Sequence, residues 1–270
     1  MSRIQTTFEQ LKAAGTKALI PFITTGDPSL QATVSIMHAL AEAGSDVIEL
    51  GIPFSDPSAD GPVIQAASER ALKNNVSLRN VLEVVAKFRE TNQTVPVVLM
   101  GYLNPFEVYG YQAFVKDASI AGIDGVLIVD MPPEESDPFA SLLKDHDINL
   151  IYLIAPTTTE QRARMICGRA SGYIYYVSLK GVTGAGHIDV AEVASKANSL
   201  KAITELPVGV GFGIKDAESA TQVGAVSDGV VIGSALVNLI YETSRKSDEP
   251  EDTREAILEF MGTIRKALDS

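Results

Sequence analysis

Eight short runs of apolar and β-branched residues recur along the chain, each followed by a longer amphipathic stretch. This alternation constrains the fold more than any other feature. It is the mark of βα units, whose strands lie parallel because each intervening helix returns the chain to the same end of the sheet. The candidate strands are Ala18–Thr24, Asp46–Leu50, Val95–Met100, Gly125–Val129, Asn149–Ile154, Tyr173–Ser178, Val208–Gly211 and Gly229–Ile232. Eight such units within 270 residues suit an α/β fold of the (β/α)8 barrel type, a single domain over residues 1–270 with no linker. The alternative is an open doubly wound sheet. Its nucleotide fingerprint should follow the first strand, yet Pro21-Phe-Ile-Thr-Thr-Gly26 lacks the required glycine spacing.

Helix signals fill the intervals. An extra N-terminal helix precedes the first strand, with Thr6 and Glu9 at capping-box spacing, Phe8 and Leu11 on its apolar face and Gly15 as its stop. Asp27-Pro28 reads as an N-cap with proline at the first helical position, opening a helix that ends at Gly44. The interval from Pro62 to Glu90 has room for more than one helix, and another helix starts near Ser234. Ile257, Phe260, Met261, Ile264 and Leu268 fall at helical spacing in the last one. The charged stretch Ser244–Asp252 reads as a surface connection.

Composition narrows the class of function. Charged residues make up 21% and apolar residues 46%, values of an ordinary globular chain. The net charge of −12 argues against nucleic acid and anionic membranes, which are bound through basic patches. It also repels an anionic substrate at long range, so a phosphate must be held by local groups. The single cysteine, Cys167, has no partner for an internal disulfide, and His38, His146 and His187 lack metal-site spacing, so no metal is expected. The N-terminus carries charges and a helical period in place of a signal peptide's apolar core, and no run is long enough to span a membrane. A cytoplasmic location is therefore expected.

Strands of a parallel barrel are covered on both faces and should be apolar. Glu49 breaks that rule near the C-terminal end of the second strand, the end at which barrel enzymes place catalytic groups. Alternation puts Val47 and Glu49 on one face, towards either the barrel axis or the helices. A Glu paired with an arginine or capping a helix is the plainer reading. Against it, desolvation at such a site raises a carboxyl pKa and prepares it for proton transfer near neutrality. The loop that follows, Gly51 to Pro62, has three prolines and two glycines and is therefore shaped. It carries Asp56 and Asp60, each of which taken alone is more often a turn residue or helix cap. Asp130, at the end of the fourth strand, reads equally well as a site carboxylate or as the cap of the following helix.

Strands seven and eight end in Val208-Gly-Val-Gly-Phe-Gly-Ile214 and Val231-Ile-Gly-Ser-Ala235. Glycines there let backbone N–H groups approach an anion, and Ser234 opens a helix with its positive dipole end. A phosphate site after strands seven and eight is a recurring feature of the barrel; tight turns that simply need glycine are the plainer account. Strand six leads into Leu179–Asp189, a long glycine-rich connection of the kind used for lids, in which Gly184 can complete a phosphate cup. Tyr173 and Tyr175 share a face of strand six, which lets Tyr175 reach the barrel mouth, although packing is the commoner role. Lys180, beyond the same strand, is a conceivable Schiff-base lysine, but a loop position favours a solvated one.

The run Ile48-Glu-Leu-Gly-Ile-Pro-Phe-Ser-Asp-Pro-Ser-Ala-Asp-Gly-Pro-Val-Ile-Gln65 resembles the signature of the tryptophan synthase α subunit family. Similarity recurs in Pro21–Pro28, Asp130–Pro133, Gly181–Gly184 and Gly211–Ile214, and so covers nearly the whole chain. The resemblance implies a lyase that cleaves indole-3-glycerol phosphate to indole and glyceraldehyde 3-phosphate. It implies Glu49 as proton shuttle, Asp60 near the indole N–H and Tyr175 as an active-site tyrosine. It also implies Phe22, Leu127 and Phe212 as apolar lining, Thr183 as a lid residue meeting the Asp60 region, and Gly184, Gly213, Gly233 and Ser234 as the phosphate site. Pro53, Asp56 and Asn104 would face a β subunit in an α2β2 complex, with pyridoxal phosphate on that partner and no cofactor on this chain. Many members carry an arginine just before the lid glycine motif, where this chain has Leu179-Lys180, which puts lid closure in question.

Overall fold

The computed structural model describes residues 2–178, 189–211, 213–247 and 249–270. The chain opens with helix α1 (Arg3–Ala14), followed by β1 (Ala18–Thr24), α2 (Leu30–Glu42), β2 (Ile48–Gly51), α3 (Pro62–Lys73) and α4 (Leu78–Arg89). Next come β3 (Val97–Gly101), α5 (Leu103–Tyr109), α6 (Tyr111–Ala121), β4 (Gly125–Ile128), α7 (Asp137–Asp145), β5 (Asn149–Ile154) and α8 (Glu160–Arg169). The last units are β6 (Ile174–Val177), α9 (Val190–Lys201), β7 (Val208–Gly211), α10 (Ala217–Gly224), β8 (Gly229–Ile232), α11 (Ser234–Lys246) and α12 (Pro250–Leu268). The strands pair in chain order, all parallel, and β8 closes onto β1.

Alternation along each strand sorts its side chains. On β2, Ile48 and Leu50 join the apolar layer between strands and helices, while Val47 packs inside the barrel. The interior also holds Ala18, Ile20, Val98, Leu127, Ile151, Tyr173, Tyr175 and Val231. Helix α1 contributes to this same cluster: Ile4 and Phe8 are buried in it, with the Phe8 ring 5.7 Å from that of Tyr173. The helix thus plugs the N-terminal end of the barrel, and Gly15 ends it in the left-handed conformation that its φ of 73° requires.

At that same end, four side chains tie each even strand to the one before it. Asp46, Asp124, Ser171 and Asp228 accept the N–H groups of Leu19, Val97, Leu150 and Val208 at 2.8, 2.8, 2.9 and 2.9 Å. The three aspartates are neutralised in turn by Arg265, by Arg3 with Arg89, and by Lys201.

Three local expectations need correction. The cap of α1 is Ser2, whose hydroxyl accepts from the Gln5 N–H at 3.2 Å, whereas Glu9 is engaged by the Gln5 side chain one turn along the helix. Asp27 does not cap α2: that helix starts at Leu30 behind Ser29, which accepts from the Ala32 N–H, and the Asp27-Pro28 peptide is cis. The Asp27 carboxylate is instead taken by Arg70. Finally, the connection expected over Ser244–Asp252 is shorter, because α11 runs to Lys246 and α12 starts at Pro250. Pro250 at the first position, with Glu251 and Asp252 in the first turn, suits a helix N-terminus, which favours proline and negative charge.

Candidate active site

Strand β2 carries Glu49 into the barrel interior, where it is fully buried. Its Oε1 accepts a hydrogen bond from the Tyr173 hydroxyl at 2.6 Å, and its Oε2 has no partner among the described residues. Burial pushes its pKa up to about 8, opposed by the Tyr173 hydrogen bond. Neither plainer reading of Glu49 holds: no arginine pairs with it and it caps no helix among the described residues. A proton placed on Oε2 would leave Oε1 free to accept from Tyr173, so the neutral acid fits this environment.

Tyr173 is the partner that sequence reasoning did not single out. Alternation placed it beside Tyr175 on the inward face, but its pairing with a residue 124 positions away is set by barrel closure. Tyr175 is buried as well, and the nearby Glu49 and Asp60 charges add to desolvation in holding its phenol well above the usual range. Its seat depends on Gly211, where a Cβ would fall 2.1 Å from the Tyr175 oxygen.

Asp60 lies in the loop after β2, and burial raises its pKa. Its Oδ2 accepts from the Tyr102 hydroxyl at 3.1 Å, and that hydroxyl accepts from the Ala59 N–H at 3.0 Å. Tyr102, a second partner missed in the sequence, stacks on Phe54 with ring centroids 5.1 Å apart. Asp60 is not a helix cap, since Gly61 occupies the cap position of α3 and Pro62 its first turn. The other two carboxylates differ. Asp130 accepts from the Leu103 N–H at 2.7 Å and so caps α5, the helix before it, in place of the one that follows. Asp56 is exposed and accepts from the Ser55 hydroxyl. On the same end of the barrel Asn104 is exposed and Pro53 is buried.

A cavity of about 1010 Å³ opens at the C-terminal strand ends. Its apolar wall includes Phe22, Ile64, Met100, Val129 and Leu153, and its polar groups include Asp60 and Tyr175. Leu127 packs below it in the barrel interior, and Glu49 is likewise not among the lining residues. Gly213, Gly233, Ser234 and Ala235 border the cavity at the ends of β7 and β8. Gly213 has a φ of 81°, and α11 starts at Ser234 without a side-chain cap, which leaves its first N–H groups for an anion. The expected roles of Lys180, Thr183, Gly184 and Phe212 fall on positions outside the described residues. Among the described residues no cluster of His, Cys, Asp and Glu could hold a metal ion, and no helix is long and apolar enough to cross a membrane.

The site therefore joins an acid with a pKa near 8, a second carboxylate able to accept from an N–H, an apolar slot and a helix N-terminus. The family model described as "Tryptophan synthase alpha chain" matches residues 8–269. The chain belongs to the tryptophan synthase alpha chain family. The alpha chain of Thioalkalivibrio sulfidiphilus is 56% identical over 269 residues, covering 100% of both chains, and that of Burkholderia multivorans is 57% identical over 269 residues, covering 100% of this chain and 97% of its own. The crystal structure of tryptophan synthase subunit alpha from Legionella pneumophila matches with a TM-score of 0.91 and 45% identity, covering 100% of this chain and 99% of that one. As a member of this family the chain is a carbon–carbon lyase of tryptophan biosynthesis that cleaves indole-3-glycerol phosphate to indole and glyceraldehyde 3-phosphate.

Proposed function

We propose that Glu49, Asp60 and Tyr175 carry this cleavage, with Glu49 moving the protons. Glu49 in its acid form protonates indole C3, which leaves the ring nitrogen electron-poor. The Asp60 carboxylate accepts from the ring N–H and steadies that charge. Glu49 then takes the proton of the adjacent glycerol hydroxyl. The carbon–carbon bond breaks, its electron pair restores the aromatic ring, and the hydroxyl carbon leaves as the aldehyde. The proton Glu49 delivered stays on C3 of the released indole, and the hydroxyl proton it takes restores its acid form for the next turnover, as a shuttle requires. Tyr175 borders the reacting atoms, and Phe22 with the Leu127 layer beneath holds the indole in an apolar slot. The phosphate sits on the N-terminus of α11 with Gly213, Gly233 and Ser234, joined by Gly184. Phe212 adds to the apolar lining, and Thr183 closes over the Asp60 loop and excludes water.

The observation that supports this reading best is a fully buried carboxyl group with a pKa near 8 and one oxygen unpartnered among the described residues, in a barrel whose cavity at the strand C-termini is bordered by Asp60 and the start of α11. Asp56 and Asn104, both exposed, face a β subunit in an α2β2 complex within the cytoplasm, and the buried Pro53 shapes the loop that presents Asp56. Pyridoxal phosphate belongs to that partner, and no step above needs a cofactor on this chain. The test is Glu49→Gln, which keeps shape but cannot exchange protons. Substrate binding should persist while indole release falls by about 10²–10⁴-fold; turnover at the parent rate would remove Glu49 from the mechanism.

A further inference from the structure

Arg70 occupies a position that none of the preceding chemistry uses. It lies on α3 and meets both carboxylate oxygens of Asp27, Nε to Oδ1 at 2.8 Å and Nη2 to Oδ2 at 2.7 Å. Asp27 is buried in the turn after β1, and its fork is the planar bidentate geometry that only arginine supplies. The other face of the same guanidinium lies over the ring of Tyr241 on α11, 3.9 Å from the centroid. One side chain therefore ties together the turn after β1, α3 and α11. Asn74, one turn further on, donates to the Gly26 and Pro28 carbonyls and fixes the same turn against the end of α3.

These two helices carry the two grips on the substrate. Asp60 precedes the start of α3, roughly 12 Å along the axis from Arg70 at 1.5 Å per residue. Ser234 starts α11, roughly 10 Å from Tyr241 by the same rise. Between them the helices touch through Ala67 and Val237, which enclose Phe22. These contacts are apolar and non-directional, and by themselves leave the relative orientation of the two helices open to adjustment. The ion pair and the stacked ring do not, because both demand orientation. We propose that Arg70 is a positioning residue which sets the distance between the indole grip at Asp60 and the phosphate grip at the start of α11, so that one rigid substrate is held at both ends. This rests on the assignment of those two grips made above.

The distinctive consequence is that Arg70 matters for the intact substrate and not for its halves. In the full chain assembled with the β subunit, Arg70→Met should lower kcat/KM for indole-3-glycerol phosphate by about 10- to 100-fold, the effect of a small misplacement remote from the chemistry. Dissociation constants for indole alone and for inorganic phosphate alone should stay within about twofold of the parent values, as expected for sites perturbed only relative to each other. Arg70→Lys, which keeps the charge without the fork or the flat stacking face, should fall between the two and guards against a folding defect in Arg70→Met. Parallel weakening of indole, phosphate and substrate would overturn the inference by marking Arg70 as a general structural residue. An unchanged kcat/KM in both variants would overturn it as well. If in the parent Ser234→Asp leaves phosphate binding intact and Asp60→Ala leaves indole binding intact, the grips themselves are misassigned and the inference falls with them.

Discussion

At the scale of single residues, Glu49 is held in a conflict between solvation and chemistry. Its folded pKa near 8 lies above the ordinary 4.5, so the native state binds its proton more tightly than the unfolded chain does. Stability conferred by the neutral acid is therefore fully present below pH 4.5 and is lost as pH rises towards 8, on the order of 1.4 kcal/mol per unit across that window. Glu49→Gln carries no such charge, so its unfolding free energy should exceed that of the parent by an amount that grows from pH 4.5 to 8 and then levels off. Denaturant unfolding of both proteins over this pH range measures it. Tyr173 acts in the opposite direction, since its hydroxyl stabilises the carboxylate. Tyr173→Phe should accordingly move the alkaline limb of kcat/KM to higher pH, and a limb that stayed in place would show that Tyr173 does not bear on the proton transfer.

At the scale of elements, the strand order and the helices that separate the strands were legible because periodicity reports local burial. Most strand limits agree to within two residues, and Glu49 stood out because a charge in an apolar run contradicts its surroundings. Partners were not legible. Tyr173 meets Glu49, and Tyr102 meets Asp60, only after barrel closure brings distant segments together. Caps failed for a related reason, since several polar residues near one helix start compete and tertiary contacts choose among them. Ser2 displaced Thr6, and Arg70 drew Asp27 away from α2. The ties at the N-terminal strand ends were equally hidden, and they carry a prediction about stability. Asp124 is buried against Arg89 and Arg3 while accepting from the Val97 N–H. Asp124→Ala leaves Arg89 buried without its partner and should cost about 3–5 kcal/mol in unfolding free energy, with kcat per folded molecule unchanged. Urea unfolding alongside a steady-state assay separates the two.

At the scale of the whole molecule, charge and shape govern how ligands arrive and leave. The chain carries a net charge of −12 and attracts a phosphorylated substrate only at close range. Raising ionic strength from roughly 10 mM to 200 mM shortens the Debye length from about 30 Å to less than 10 Å and should increase kcat/KM by a small factor, about twofold, where binding limits the rate. A fall in kcat/KM would mean that positive groups near the mouth outweigh the net charge. Shape has the more lasting effect. Because Ile4 and Phe8 of α1 fill the N-terminal end of the barrel, the cavity formed by the described residues opens at the strand C-termini. Among the described residues an apolar product released inside meets packed side chains on the α1 side, which directs it towards the loops at the strand C-termini. A protein docked on that rim would stand between the cavity and solvent, so its binding would change how fast an apolar product escapes.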